Sequence, residues 1–379
     1  MPTITKGDKI LVTGANGYIA MWATRLFLER GYSVRGTVRS EDKAKDVKDY
    51  FNSIGLGDKL ETFIVDDIVK EGAFDEAVKG VDGIAHMASP FHGNVKDPQE
   101  FFRPAIQGTV GILKSANKNG KQVKRVVVTS STASVMSPPD KPTLFSALDW
   151  NTKDPKLVEE LGSNSHPMTI YRASKSLAEK GAWDYYEQHK NEVTWDLSVI
   201  NPPFVSSFSH RESFYTKLNG PPIHKIASSS SLNTSLQAWY NHVIDGTKST
   251  KEALTDSTSW VDVRDTALAH VLALEKAEAG GERIITTEVS TLNVILGPFI
   301  WQEWAMALIL NKVAEANSIS PSPFPSRKLP IGFPEILEGE RVYKISYDKK
   351  KEERILGIKF HTKLESTKDT LEDFAKRGW

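Results

Sequence analysis

Lys9-Ile10-Leu11-Val12-Thr13-Gly14-Ala15-Asn16-Gly17-Tyr18-Ile19-Ala20 decides the fold of this 379-residue chain. Ile10 to Val12 is a short apolar run rich in β-branched residues, the pattern of a buried strand. Gly14, Gly17 and Ala20 follow at even spacing, and Met21 to Arg30 reads as a helix. A strand that enters a tight glycine turn and then a helix is a phosphate cradle. Gly14 permits the turn, Gly17 lets backbone approach a pyrophosphate, and Ala20 keeps helix and strand close. The free N–H groups of the helix start face the anion. The Gly-x-x-Gly spacing recurs at Gly80/Gly83 and Gly108/Gly111, so spacing alone is weak. Neither of those copies lies between a strand and a helix, and context marks the first as a dinucleotide-binding turn.

Outward from it, strands and helices alternate. Tyr32 to Val38 reads as a second strand ending in Arg39-Ser40, with Lys43 and Lys45 beyond. An NAD site usually carries a carboxylate here for the adenosine 2′-hydroxyl, whereas an Arg suits a 2′-phosphate, which favours NADPH. A solvated charge cluster is the other reading. Leu60 to Val65 is a third strand ending in Asp66-Asp67, where a carboxylate can bond an adenine amino group. Gly72 to Lys79 reads as a short helix. Gly83 to Met87 is a fourth strand, ending in the small residues Ala88-Ser89-Pro90; His86 within it reads as a packed histidine. Phe101 to Asn117 is helical, and Val123 to Thr129 is a strand ending in Ser130-Ser131-Thr132. Such hydroxyls stand where parallel sheets bind ligands, though capping of the next turn would also use them.

Pro138 to Pro167 reads as a surface loop with at most one short helix near Lys156 to Glu160. Tyr171-Arg172-Ala173-Ser174-Lys175 opens a helix reaching about Lys190, with Tyr171 and Lys175 on one face. The Tyr/Lys spacing recurs at Tyr186/Lys190 and Tyr347/Lys351, which read as solvated surface. Thr194 to Ile200 is a sixth strand, stopped by Asn201-Pro202-Pro203. After it the alternation ends. Trp260 to Asp265 is strand-like and leads into a helix from Thr266 to Glu278, and Arg283 to Thr287 is a further strand. Trp301 to Asn311 reads as helix, Ser320 to Pro334 as a proline-rich connection, and Asp348 to Trp379 as a charged, mostly helical tail. The expected fold is therefore α/β, a doubly wound parallel sheet with a smaller C-terminal substrate domain. Residues 1–203, completed by about 259–287, form the dinucleotide-binding domain; 204–258 and 288–379 form the substrate domain.

Composition narrows function. Lys plus Arg equals Asp plus Glu at 48 each, so no global field favours nucleic acid or an anionic membrane. With no cysteine, disulfides, thiolate catalysis and cysteine-ligated metal are excluded, and no metal site is expected. Met1 to Asp8 lacks an apolar signal core, and no run reaches membrane-spanning length, so cytoplasm is the expected compartment.

Taken together, Thr13 to Ala20, Ser131 and Tyr171 to Lys175 resemble the extended short-chain dehydrogenase/reductases, a Rossmann-type family. More narrowly, the chain resembles the branch of dihydroflavonol 4-reductases, cinnamoyl-CoA reductases and fungal NADPH-dependent aldehyde, ketone and methylglyoxal reductases. Val34 to Arg39, Val199 to Pro203 and Val261 to Asp265 match that branch's blocks in order. The resemblance implies cofactor contacts at Thr13, Gly14, Asn16, Gly17, Tyr18, Ile19, Arg39, Lys43, Asp67, Ala88 and Pro202. It implies a catalytic trio of Ser131, Tyr171 and Lys175, of which Tyr171 and Lys175 also touch the cofactor. Tyr171 would be the general acid, its phenol eased by the Lys175 cation, and Ser131 would hold the carbonyl oxygen. Phe91, Met136 and Phe204, apolar residues on loops at the strand ends, would join Ser131 and Tyr171 around a small-molecule carbonyl; the other reading is that they pack against the C-terminal domain and never meet substrate. A monomer or homodimer is expected.

Two departures stand out. The family's frequent asparagine after strand four is not evident in Ala105 to Thr109. Ser206 to Asn219 and Thr287 to Leu296 read as extra sequence, either lid loops or gene-model errors. Two other readings share the glycine turn: a nucleotide-sugar epimerase or dehydratase, and a non-catalytic NADPH sensor. The first would need a second nucleotide site, for which no basic cluster calls; the second tends to lose the Tyr–Lys pair.

Overall fold

The computed structural model describes residues 3–89, 97–206, 214–216, 218–247, 250–251, 257–288, 299–300, 329, 333 and 344–379. Seven strands form one parallel sheet: β1 (Lys9–Thr13), β2 (Ser33–Val38), β3 (Leu60–Ile64), β4 (Gly83–His86), β5 (Arg125–Thr129), β6 (Asp196–Asn201) and β7 (Arg283–Ile285). Their spatial order is 7-6-5-4-1-2-3, so the order reverses between β1 and β4. Ile10 is registered with Val34 on one side and with Gly83 on the other. A cleft opens beyond the carboxyl ends of strands at such a switch point. Ile10 to Val12, Ile84 and Val126 to Val128 are almost fully buried, as strands covered on both faces require.

One face is covered by α1 (Tyr18–Glu29), α2 (Glu41–Ser53) and α7 (Val263–Glu275), the other by α3 (Gln99–Asn119) and α5 (Pro167–His189). Between α3 and α5 runs α4 (Lys153–Leu161), and α6 (Thr234–Val243) precedes α7. The doubly wound α/β reading holds, with every expected strand of the sheet present.

Four local readings need correction. Gly72 to Lys79 is not a helix but a chain of tight turns, with Asp75 N–H donating to the Gly72 carbonyl at 2.9 Å. Phe74, Ala77 and Val78 are buried beneath the sheet there, and Gly72 at φ 70° and Gly80 at φ 69° break any continuous helix. Residues 138–167 hold the short helix allowed there, as α4, but also an unexpected strand, Thr143–Phe145, which pairs in parallel with Ile345–Tyr347. The strand-like run at Trp260 shrinks to Val261–Asp262, paired with Leu218–Asn219 outside the main sheet. Tyr347 is fully buried on its strand rather than solvated, and Tyr186 is half-buried against Trp195.

The C-terminal segment contributes α8 (Lys350–Ile355) and α9 (Lys363–Lys376). Ile355, Leu356 and Ile358 pack into the sheet's own core, while Phe374 joins Trp239, Trp260 and Tyr18 in a second cluster. Phe204–Ser206, which leads into the first expected insertion, and Phe214–Thr216 inside it form an antiparallel pair. The expected helix Trp301 to Asn311 and most of Ser320 to Pro334 and Thr287 to Leu296 lie outside the described residues.

Candidate active site

Gly14 takes φ +66°, a conformation that glycine adopts without strain, and a Cβ there would come within 3.1 Å of the Ala88 backbone. Gly17 donates its N–H to the Gly14 carbonyl at 2.8 Å and caps α1 with extended backbone. No side chain caps this helix, and its first turn holds no carboxylate, so its N–H groups remain open to an anion. A cavity of about 410 Å³ lies against this turn, lined in part by Gly14, Asn16, Gly17, Arg39, Asp67 and Ala88. These six are sequence-expected cofactor contacts, brought together. Arg39 is exposed at its edge and makes no ion pair among the described residues, which leaves its guanidinium open for a phosphate.

The remaining expected contacts are placed differently. Thr13 is buried, and its hydroxyl accepts the N–H groups of Met87 and Ala88, both at 3.0 Å. It therefore ties β1 to β4 behind the turn. The same hydroxyl lies 3.0 Å from His86 Nδ1, and burial holds His86 down to about 3, with the Lys175 charge adding to it. His86 is thus a neutral, packed residue, as expected. Tyr18 turns its side chain away from the cradle, donating its hydroxyl to the Gly220 carbonyl at 2.6 Å. Ile19 packs between the two apolar clusters. Lys43 lies 3.7 Å from Asp46 on α2. Pro202 is buried, and its carbonyl accepts the Thr132 N–H at 2.8 Å.

The three candidate catalytic residues converge. α5 opens at Pro167, earlier than Tyr171, with His166 Nδ1 accepting the Met168 N–H at 3.2 Å. Its first turns are pinned by Arg172, whose Nε donates to buried Asp154 at 2.6 Å. Tyr171 is 7% exposed and packs with Phe101 and Ala133. Burial pushes the phenol well up, and a hydrogen bond with Ser131 pulls the other way. The phenol is therefore protonated at neutral pH, the state a proton donor needs. The expected easing by Lys175 is not among the causes; its Nζ stands 5.9 Å from the Tyr171 ring centre.

Lys175 is partly open to the cleft, and its Nζ donates to Ser89 Oγ at 3.1 Å. Ser89 lines the 410 Å³ cavity, so one hydroxyl joins cradle and trio. The low-dielectric walls lower Lys175 to about 8, opposed by the Glu179 carboxylate. Ser131 Oγ accepts the Ala133 N–H at 3.1 Å, so the serine also caps the turn that follows it.

Of the expected substrate residues, Phe91 lies outside the described residues. Phe204 stands on a strand at the exit from β6. Met136 is corrected: it is 1% exposed and packed with Ile285, Ile345 and Tyr347. It faces a core, because a strand from far downstream covers it. Sequence reasoning also missed Glu179, Arg283 and Asp154. Only the i, i+4 spacing of Lys175 and Glu179 could have drawn attention to the first.

Compared with known proteins, residues 10–286 match the model of the NAD dependent epimerase/dehydratase family. This chain belongs to that family. It is 34% identical over 364 residues to the ketoreductase azaE of Aspergillus niger, covering 93% of each chain. It is 31% identical to the NADPH-dependent methylglyoxal reductase GRE2 of Saccharomyces cerevisiae, covering 97% of this chain and 98% of that one. The crystal structure of yeast methylglyoxal/isovaleraldehyde reductase Gre2 complexed with NADPH superposes with a TM-score of 0.74 at 28% identity, over 98% of this chain and 99% of that one. The match extends across the whole length, including the stretch beyond residue 286 that the family model leaves out. Among the described residues, no helix is long and apolar enough to cross a membrane.

Proposed function

We propose that this cleft reduces an aldehyde or ketone to an alcohol, with NADPH as hydride donor and Tyr171 as general acid. The observation that carries the reading is the meeting of Ser131, Tyr171 and Lys175 beside a glycine cradle edged by Arg39, which has no ion-pair partner among the described residues. Gly14, Asn16, Gly17, Arg39, Asp67 and Ala88 would hold the cofactor, whose uncapped helix start fits a pyrophosphate. When bound, NADPH supplies the hydride. Ser131 orients the carbonyl oxygen toward the Tyr171 hydroxyl. Tyr171 gives its proton to that oxygen as negative charge develops, a role worth ~10²- to 10⁴-fold. Lys175 brings a positive charge near the phenolate left behind. The names of the relatives, a ketoreductase and a methylglyoxal reductase, support a carbonyl substrate.

On this reading, residues 1–203 with 259–287 bind the cofactor, and 204–258 with 288–379 bound the substrate. The test is oxidation of NADPH by the full chain, followed through loss of the reduced nicotinamide absorbance. The panel holds aldehydes, α-keto esters and aryl ketones. Turnover with at least one class is expected, and stoichiometric alcohol should form. No turnover across the panel, with NADPH tightly bound, would favour a sensor.

A further inference from the structure

We propose that Glu179 is a positioning residue for this reaction: its carboxylate fixes the Ser131 turn against Tyr171 and sets a negative charge one helical turn from Lys175. The inference rests on the catalytic reading above. Glu179 is 1% exposed, and a carboxylate is costly to bury unless donors surround it. Here four groups do. Ser130 Oγ donates at 2.6 Å and Asn201 Nδ2 at 2.8 Å; Ser134 Oγ and Arg283 Nε complete the set. Arg283 is itself held by the carbonyls of Ala147 and Asp149, at 2.8 and 2.9 Å, and lies 3.6 Å above the Trp150 ring.

The placement of these donors points beyond a general brace. Ser130 and Ser134 flank Ser131 on the turn after β5. The single Ser134 hydroxyl proton is shared between Glu179 and the Ser131 carbonyl 2.6 Å away, and Asn201 Nδ2 donates to that carbonyl at 3.2 Å. Asn201 precedes Pro202, whose carbonyl is 3.5 Å from Ser131 Oγ. Both the backbone and the side chain of Ser131 are thereby located relative to α5, and α5 carries Tyr171. A misplacement of an ångström at such a group can cost ~10²-fold in rate.

The charge has a second effect. Around Lys175, α5 contributes Glu179 and the Tyr171 phenol. β4 contributes neutral His86 and the segment after it Ser89, and the turn after β5 contributes hydroxyls only. Asp66 and Asp67 line the cavity from the end of β3, where Asp66 pairs with Lys70 at 2.6 Å; α3 contributes Pro104. Arg283 from β7 is engaged by Glu179. The Glu179 carboxylate thus favours the Lys175 cation against burial. Removing its charge should lower Lys175 further.

The test is Glu179→Gln in the full chain, alongside wild type and Tyr171→Phe. Gln keeps the volume and an acceptor for Arg283 and removes the charge. We expect kcat to fall at least about tenfold while carbonyl KM and NADPH affinity, read by tryptophan quenching, stay within about twofold. The alkaline limb of the kcat/KM profile should move down by at least about half a pH unit. An unmoved limb or an unchanged kcat overturns the proposal, whatever happens to thermal stability. If Glu179→Gln does not fold, Ser134→Ala is measured in wild type and in Ser131→Ala. It should cost turnover in the first and little in the second, since its effect passes through Ser131; equal costs overturn the proposal. A Tyr171→Phe enzyme that still turned over would remove the catalytic reading itself. An inert Tyr171→Phe beside a wild-type-like Glu179→Gln would remove only the role of Glu179.

Discussion

The Tyr18 hydroxyl donates to the Gly220 carbonyl across 2.6 Å, and its ring tilts against His224 at 5.5 Å. The first residue of the helix behind the glycine turn is thus bonded to the segment that follows the Phe214–Thr216 strand. Sequence placed Tyr18 on the pyrophosphate, where only its backbone is available. Tyr18→Phe keeps the ring and leaves a buried carbonyl without its donor, at a cost of ~1–3 kcal/mol. Denaturant unfolding should report that loss, with NADPH affinity changed less than about twofold. A tenfold loss of NADPH affinity would restore the phosphate role.

Arg39 is the exposed cation at the end of β2 that no carboxylate claims among the described residues. A charge-assisted bond to a 2′-phosphate is worth ~1.5–3 kcal/mol. Arg39→Ala should therefore raise KM for NADPH roughly 10- to 100-fold and leave that for NADH nearly unchanged. Equal changes for both would show that Arg39 does not read the phosphate.

Tyr171 and Tyr186 carry the same Tyr/Lys spacing on one helix, and only Tyr171 meets a hydroxyl partner in Ser131. Tyr186 packs between Trp183 and Trp195, and Lys190 pairs with Glu187 on the surface. Tyr171→Phe should lower kcat ~10²- to 10⁴-fold with NADPH still bound, whereas Tyr186→Phe should leave kcat within about twofold. Similar losses in the two variants would break the assignment.

Lys175, lowered to about 8 in the free cleft, is charged below that pH and neutral above it. Its cation is the form that steadies a phenolate. Carbonyl reduction by the free enzyme, read as kcat/KM, should therefore decline as pH rises through about 8. Arg holds its charge to far higher pH, so Lys175→Arg should lose that limb even where its rate is lower. A limb that persisted in Lys175→Arg would belong to another group.

The sheet was legible because its central strands are short apolar runs, and β2 and β3 mixed ones, each bounded by turn residues. Gly14 and Gly17 were legible because their work is local. Gly72 to Lys79 misled because Phe74, Ala77 and Val78 look like one apolar face, while left-handed glycines at both ends favour turns. Glu179 and Arg283 were silent for another reason. Neither is unusual in its neighbourhood, and their pairing arises when β7 joins the sheet beside β6. Long-range ion pairs leave no periodic trace in a chain. The same limit explains Tyr347, whose strand pairs with Thr143–Phe145 about two hundred positions away.

Met136 tests that limit directly. An apolar side chain on a loop at the end of β5 reads as a substrate contact, because exposure there would be unfavourable. The structure provides another cover. Thr132–Ser134 curls into one 3-10 turn, and the Met136 N–H donates to the Thr132 carbonyl at 3.0 Å. That directs Val135 and Met136, each 1% exposed, beneath Ile285 of the sheet and Ile345 and Tyr347 of the returning strand. Truncating a methionine in such a core costs ~2–5 kcal/mol through lost contacts and the cavity left behind. Met136→Ala should therefore lower unfolding stability by that amount. It should also leave the ratio of KM values for bulky and small carbonyls within about twofold of wild type, since no substrate surface is changed. The opposite pattern, intact stability with a selective change for bulky carbonyls, would put Met136 back in the pocket. It would also mean that the strand Ile345–Tyr347 leaves this cluster when substrate binds.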